Sequence, residues 1–282
     1  MQLIDLNQMM LTGLITQISP KDQLDELLMR HIILNTLRSY VKRFRNDFGE
    51  AILCCDSRGY WRKAVFPYYK CQRKDEREKS SFDWNAIFKV TNALKEDLKT
   101  NFPYKIIEVY GAEADDIIAV LCKKYHIHES ILILSSDKDF LQLQKYNNIQ
   151  QINLKTKEFM VSDHPKEDLI KKIFTGDPRD GIPNILSSDS VFNDKQRQKP
   201  LTKKQLYSWL SSSNDLVKIL TKEQYANFKR NDLLINFDNI PEELENKIIT
   251  KFDVVKPNPK QKMYEYFVEN EMINFINCIE DF

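Results

Sequence analysis

Nine carboxylates fall in five short segments of the chain. They are Asp5 in LIDLNQ, Asp56 in AILCCDSR, Glu113, Asp115 and Asp116 in GAEADD, Asp137 and Asp139 in ILILSSDKD, and Asp177 and Asp180 in TGDPRD. Four of the five segments follow apolar stretches that read as buried strands or as a helix packed on them. Carboxylates gathered at one sheet edge repel each other, and hard divalent cations between them relieve the repulsion. Two such ions a few ångströms apart are suited to in-line attack on a phosphodiester. The acidic pattern therefore points to metal-dependent phosphodiester chemistry, with all nine side chains as candidate ligands and Asp115 and Asp137 nearest the reaction.

Each segment also has a plainer reading. In GAEADD, Glu113 and Asp116 share one helix face, and Asp115 is set off by about 100° per residue. All three sit where the helix dipole favours negative charge, so capping alone is an even alternative. Asp137 and Asp139 are two apart, and on an extended strand end both would point one way and share a cation. A turn is the rival reading for that pair. Asp5 and Asp56 each end a strand, where a single Asp more often caps; they gain weight only by converging with the rest. Pro178 favours a turn in TGDPRD, so one of Asp177 and Asp180 would cap while the other reaches the metals.

Residues 59–74, GYWRKAVFPYYKCQRK, interleave aromatic and basic side chains. Aromatics stack on bases and cations hold phosphates, the usual recipe for single-stranded nucleic acid. Tyr60, Trp61, Arg62, Lys63, Tyr69, Lys70, Arg73 and Lys74 are the candidate contacts, with Lys70 and Arg73 expected at the scissile phosphate. The alternative is a solvated loop with its aromatics in the core. The polar stretch 70–81 is expected to order only with a partner.

The elements that must position these groups are set by periodicity. Short apolar runs at 2–6, 51–55, 105–109 and 131–134 read as strands, with helices at 21–48, 84–99 and 114–125. Strands alternating with helices predict an α/β fold with a mainly parallel central sheet, whose ligands bind beyond the carboxyl ends of the strands. After about residue 161 the pattern turns helical, with segments near 166–174, 203–210, 242–251 and 261–276 and a loop over 187–200. The expected division is a nuclease core over 1–180, including a basic segment at about 59–81, and a smaller helical nucleic-acid-binding region over 181–282.

The formal net charge is +1, but setting aside the nine candidate ligands leaves an excess of ten basic residues around one acidic pocket. No apolar run or signal-peptide pattern calls for a membrane, and five cysteines without ligand spacing suit a reduced, cytoplasmic setting without zinc.

Taken together, LIDLNQ, GYWR, YYKCQRK, EADDIIAVL, ILILSSDKDFLQL, GDPRD, NFDNIPEEL and YEYFVENEMINFIN resemble the 5′-nuclease, or flap endonuclease, superfamily, and within it the ribonuclease H branch of the T-even bacteriophages. The resemblance runs nearly end to end. It implies a PIN-like core and 5′-to-3′ exonuclease and flap endonuclease activity on RNA–DNA and DNA duplexes, leaving 5′-phosphates. It further implies two Mg²⁺ ions, with Mn²⁺ as an alternative, and primer removal during lagging-strand replication in a host bacterial cytoplasm. Asp56, Glu113, Asp115, Asp137 and Asp139 match the first metal of that family, and Asp5, Asp177 and Asp180 the second, largely through water. Tyr69, Lys70 and Arg73 match its Y-K-x-x-R on the arch. A single-stranded-DNA-binding protein and a sliding clamp are the implied partners of a monomer. One departure is that Gly181-Ile182-Pro183-Asn184 and a polar loop stand where most cellular members carry a glycine-rich helix-hairpin-helix with a potassium site.

Two other classes remain open at this point. A PIN-type endoribonuclease on single-stranded RNA would be much shorter and lack the arch. A non-catalytic nucleic-acid-binding protein would not need every carboxylate intact. A DxD phosphatase is disfavoured because Asn7 stands where its second Asp belongs.

Overall fold

The computed structural model of the chain describes residues 1–19, 25–211 and 215–282. Its centre is a six-stranded sheet built from β1 (Gln2–Asp5), β2 (Ala51–Cys55), β3 (Lys105–Glu108), β4 (Ile131–Leu134), β5 (Ile149–Ile152) and β6 (Phe159–Met160). The order is β3-β2-β1-β4-β5-β6, with β6 alone antiparallel to its neighbour. The sheet grows from β1 in both directions, to β2 on one side and β4 on the other. Such a reversal opens a crevice at the carboxyl ends of the strands.

Apolar runs make these strands central because both faces are covered. Successive side chains of a strand point to opposite faces. Ile4, Leu53, Cys55, Leu132 and Leu134 join one core, and Leu3, Ile52, Cys54, Ile131 and Ile133 join the other. The first face is covered by α1 (Leu6–Ile15), α2 (Glu26–Phe48), α5 (Trp84–Asn101) and α12 (Lys260–Glu269). The second is covered by α6 (Ala114–Tyr125) and α11 (Glu242–Val254). Helices from near the C-terminus thus complete both layers.

Local signals set the helix ends. Asp25 caps α2 by accepting from the Leu28 amide, and Gly49 ends it at a positive φ of 74°. Met29, Ile33, Leu37, Val41 and Phe44 form the buried stripe between them. The part of the expected helix over 21–24, Leu24 included, lies outside the described residues. The apolar segment 261–276 is two helices, α12 and α13 (Ile273–Ile276), because Glu271 takes a left-handed φ of 56°.

A third layer carries its own small cores. Between β2 and α5 run α3 (Trp61–Val65) and α4 (Arg73–Glu78), and beyond the sheet lie α7 (Pro165–Thr175), α8 (Lys203–Ser211), α9 (Leu216–Ile219) and α10 (Lys222–Ile235). Phe66 and Tyr69 pack with Ile173, Ile182, Leu234 and Ile235, which joins the segment after α3 to α7 and α10. Residues 70–81, expected to order only with a partner, are instead tied down at their start. The Lys70 amide donates to the Asp180 carbonyl at 2.8 Å, and α4 comes directly after. No described helix is long and apolar enough to cross a membrane.

Candidate active site

Four of the nine carboxylates line one cleft of about 790 Å³ beyond the strand ends: Asp5, Asp56, Asp115 and Asp137. Asp5 closes β1 and caps α1, accepting from the Gln8 amide at 3.0 Å. Asp56 stands just past β2, where one oxygen accepts from the Ala114 amide and the other from the Asn7 side chain, both at 2.8 Å. The amide at the start of α6 therefore aims Asp56 into the cleft, and Asn7 acts as its orienting donor. Asp137 caps a 3-10 helix over 138–145 and is braced by Ser135, whose hydroxyl accepts from the Asp137 amide at 3.2 Å.

Asp115, in the first turn of α6, engages no described hydrogen bond or ion pair and faces the other three. Burial, then Asp56, pushes the Asp5 carboxyl up to about 7. Burial, then Asp137 and Asp5, drives Asp115 well above the usual carboxylate range. Asp137 is raised by burial as well, in spite of the nearby Lys172 ammonium.

An all-oxygen donor set whose own charges oppose one another suits hard divalent cations. Among the described residues, no three acidic, His or Cys side chains stand in position to hold one ion outright. Lysines supply countercharge at the flanks of the cleft. Lys70 contacts Glu113 and lies 3.8 Å from Asp180. Lys172 pairs with Asp139 and, at 2.7 Å, with Asp177. The expected convergence of nine ligands therefore resolves into the four cleft carboxylates, four more held against these lysines, and Asp116.

Asp116 is a correction. Its carboxylate is fully buried, 2.7 Å from the Arg62 guanidinium, and accepts from the Trp61 indole and the Glu113 amide. Glu113 and Asp116 form a reciprocal capping box, so the helix turns this side chain away from the cleft. Arg62 is corrected with it, because it is 3% exposed and donates to the Leu234 carbonyl as well as to Glu113. Neither Arg62 nor the half-buried Trp61 presents a nucleic-acid contact. Tyr69 is also buried; its hydroxyl is within hydrogen-bond distance of both Glu113 and Asp180, so it positions those carboxylates rather than meeting bases.

The extended geometry expected for Asp137 and Asp139 is overturned too. The chain turns into the 3-10 helix, the Asp139 amide donates to Asp137, and Asp139 itself swings to Lys172. Tyr60, Lys70 and Arg73 do line the cleft, while Lys63 and Lys74 are exposed and do not line it. Lys70 adopts a left-handed φ of 56°, which a non-glycine residue keeps only where its surroundings compel it. Burial alone would push Asp180 up, but Lys70 and Arg73 outweigh it and hold Asp180 below the usual carboxylate range. Sequence reading overlooked Lys172 and Ser135 as site residues, and neither carries a local pattern that marks it.

The raised carboxyls set a pH response. Asp5, Asp115 and Asp137 hold protons more tightly folded than unfolded, so the folded chain binds more protons between about pH 4 and 7. In chelator, their contribution to stability should be greatest at the acid end and be lost as pH rises through about 7. Saturating divalent cation should flatten that slope. Thermal melts from about pH 5 to 8 test this, and a melting point that rises across the window in chelator contradicts it.

Residues 13–173 match the family of 5′-3′ exonuclease N-terminal resolvase-like domains, and residues 163–282 match the family of T4 RNase H C-terminal domains. A ribonuclease H of Enterobacteria phage T4 is 32% identical over 289 residues, spanning 99% of this chain and 95% of that one. A 5′-3′ exonuclease of Buchnera aphidicola is 28% identical, covering 54% of each chain. Two solved bacteriophage T5 structures share the fold. One is a flap endonuclease with DNA and metal ions, with TM-score 0.62, 15% identity, and coverage of 89% of this chain and 97% of that chain. The other is a 5′-exonuclease with zinc, with TM-score 0.61, 14% identity, and coverage of 90% and 98%.

Proposed function

Since this chain belongs to the 5′-nuclease superfamily and is a nuclease, we propose that it cuts RNA–DNA and DNA duplexes at 5′ ends and flaps, removing primers during lagging-strand replication. The observation that carries the reading is the cleft itself. Four carboxylates, three of them with raised pKa values, face Lys70 and Arg73 across one opening at the sheet edge.

The cleft regroups the ligand sets that the resemblance implies. With water completing each shell, Asp5, Asp56, Asp115 and Asp137 would face one Mg²⁺ (or Mn²⁺), and Asp139, Asp177 and Asp180 a second, with Glu113 orienting Lys70. When bound, such ions supply an activated water and neutralise charge on the reacting phosphate. The chain's own part is to place that phosphate. Lys70 and Arg73 offer fixed positive charge toward its non-bridging oxygens. Glu113 holds the Lys70 ammonium by an ion pair and is itself held by the Tyr69 hydroxyl. Charge fixed before reaction costs no reorganisation as negative charge develops. The helical region beyond residue 181 would grip duplex flanking the cut, and a single-stranded-DNA-binding protein and a sliding clamp would be its replication partners.

Lys70→Met is expected to lower cleavage about 100-fold while changing nucleic-acid affinity only a few-fold. Single-turnover rates on a flapped duplex, with a melting point alongside, test this; an unchanged rate removes Lys70 from the role. The reading as a whole is tested on a 5′-labelled nicked flap duplex and an RNA–DNA hybrid, with Mg²⁺ and with EDTA. Metal-dependent release of flaps and short 5′-phosphorylated products supports it. Internal cutting of single-stranded RNA, or binding without cutting, overturns it.

A further inference from the structure

We propose that Tyr110 and Arg58 form a stacking platform for an unpaired base of the substrate strand at the rim of the cleft, an inference that rests on the nuclease reading above. Isolated surface tyrosines are ordinary. Three features set this one apart. It is 79% exposed, the most open of the large hydrophobic side chains described. Its ring is seated on Gly59, where a Cβ would stand only 2.8 Å from the tyrosine hydroxyl and 3.0 Å from Cζ. And the two loops that meet there are laced together. Gly111 donates to the Arg58 carbonyl at 3.2 Å, Trp61 to Gly111 at 2.9 Å, and Ser57 to Ala112 through both amide and hydroxyl at 3.1 and 2.8 Å.

Both glycines in this corner take positive φ, 72° at Gly59 and 89° at Gly111, which lets the loops approach so closely. Below them, Val109 and Ala112 are buried in the sheet core. The result is an aromatic face held open to water on a rigid mount. Little ordering entropy remains to be lost when a flat partner covers it.

Arg58 supplies the second half of the recipe. It is exposed, forms no ion pair among the described residues, and lines the cleft. It is two residues past Asp56, so its Cα lies within about 7.6 Å of the Asp56 Cα. An exposed arginine without an ion pair among the described residues, one residue before the glycine on which the ring is seated, matches a strand with phosphate on one side and bases on the other. Trp61 and Arg62 turn inward from this corner while Arg58 stays exposed, and the ring arrives from the loop after β3.

The test uses the intact protein and duplexes whose single-stranded 5′ tail carries 2-aminopurine, titrated in EDTA. Wild type and Tyr110→Phe should quench the fluorophore at one tail position. Tyr110→Ala should lose that quench and bind the tailed duplex about 10-fold more weakly, with a wild-type melting point. Arg58→Ala should weaken binding and lower the salt dependence by about one phosphate contact. Unchanged quenching and affinity in Tyr110→Ala overturns the platform, as does equal weakening on blunt duplexes. Wild-type cleavage of the same tailed duplex with Mg²⁺ separates the two levels: its absence overturns the nuclease reading, and its presence with unchanged stacking overturns only the platform.

Discussion

Replacing Asp115 with asparagine is expected to cut the rate of cleavage about 10³-fold or more, while nucleic-acid affinity stays within a few-fold of wild type. Asp115 is the one carboxylate of GAEADD that neither caps the helix nor pairs with a cation, and it faces Asp5 and Asp137 across the cleft. A side chain that the fold leaves without a hydrogen bond or ion pair among the described residues, facing other carboxylates, is one whose loss should fall on the reaction rather than on packing. A factor of 10³ corresponds to about 4 kcal/mol of lost transition-state stabilisation, within the range one ion supplies. The same change removes a charge whose ionisation burial opposes, so the variant should melt higher than wild type in EDTA. Single-turnover cleavage, gel-shift binding and thermal melts read the three quantities. Wild-type cleavage together with a lower melting point would make Asp115 a structural residue.

Arg62→Met is expected to be the most damaging substitution for stability, at about 3–5 kcal/mol. The guanidinium is 3% exposed, reaches Asp116 and Glu113 at 2.7 and 3.1 Å, and donates to the Leu234 carbonyl at 2.8 Å. It thereby ties the start of α6 to the end of α10. Removing it strands Asp116 as a buried charge, which is far costlier than losing an exposed pair. Arg62→Met with Asp116→Asn should recover part of the loss, because the second change removes the stranded charge. Urea denaturation measures both. A loss under about 1 kcal/mol would mean that this pair behaves as a surface contact.

Four of the six strands, β1 to β4, were legible because burial on both faces demands apolar runs, as in AILCC and ILIL. By contrast β5, IQQI, and the two-residue β6 carry no such run and went unread. The positions of Asp5, Asp56 and Asp137 were legible for the same reason: each stands at or just past the end of such a run, and the parallel order brings those ends together. The helix at 6–15 and the helix at 222–235 went unread. The first continues from its strand with no loop, and the second has a charged, weakly striped surface. Of the candidate contacts in the basic segment 59–74, Tyr60, Lys70 and Arg73 line the cleft, while Trp61, Arg62 and Tyr69 turn inward, in part as the alternative reading, with the aromatics in the core, allowed. Its interleaved pattern is compatible with either side of a helix turning inward.

Sequence by itself determined the residue types of the site, the family, and the edge of the sheet at which the acids gather. These are properties of order along the chain: apolar runs make strands, and the residues just after a strand lie at its end. Only the tertiary structure decided which acid does which task. Asp115 and Asp116 are adjacent and chemically identical, yet one faces the cleft and the other is locked to Arg62, because neighbouring residues on a helix point about 100° apart. The partners that make this choice come from elsewhere in the chain: Arg62 is 54 residues from Asp116, Lys70 is 43 from Glu113, and Lys172 is 33 from Asp139. Electrostatic pairing and burial act through space, so no local pattern in the chain announces them.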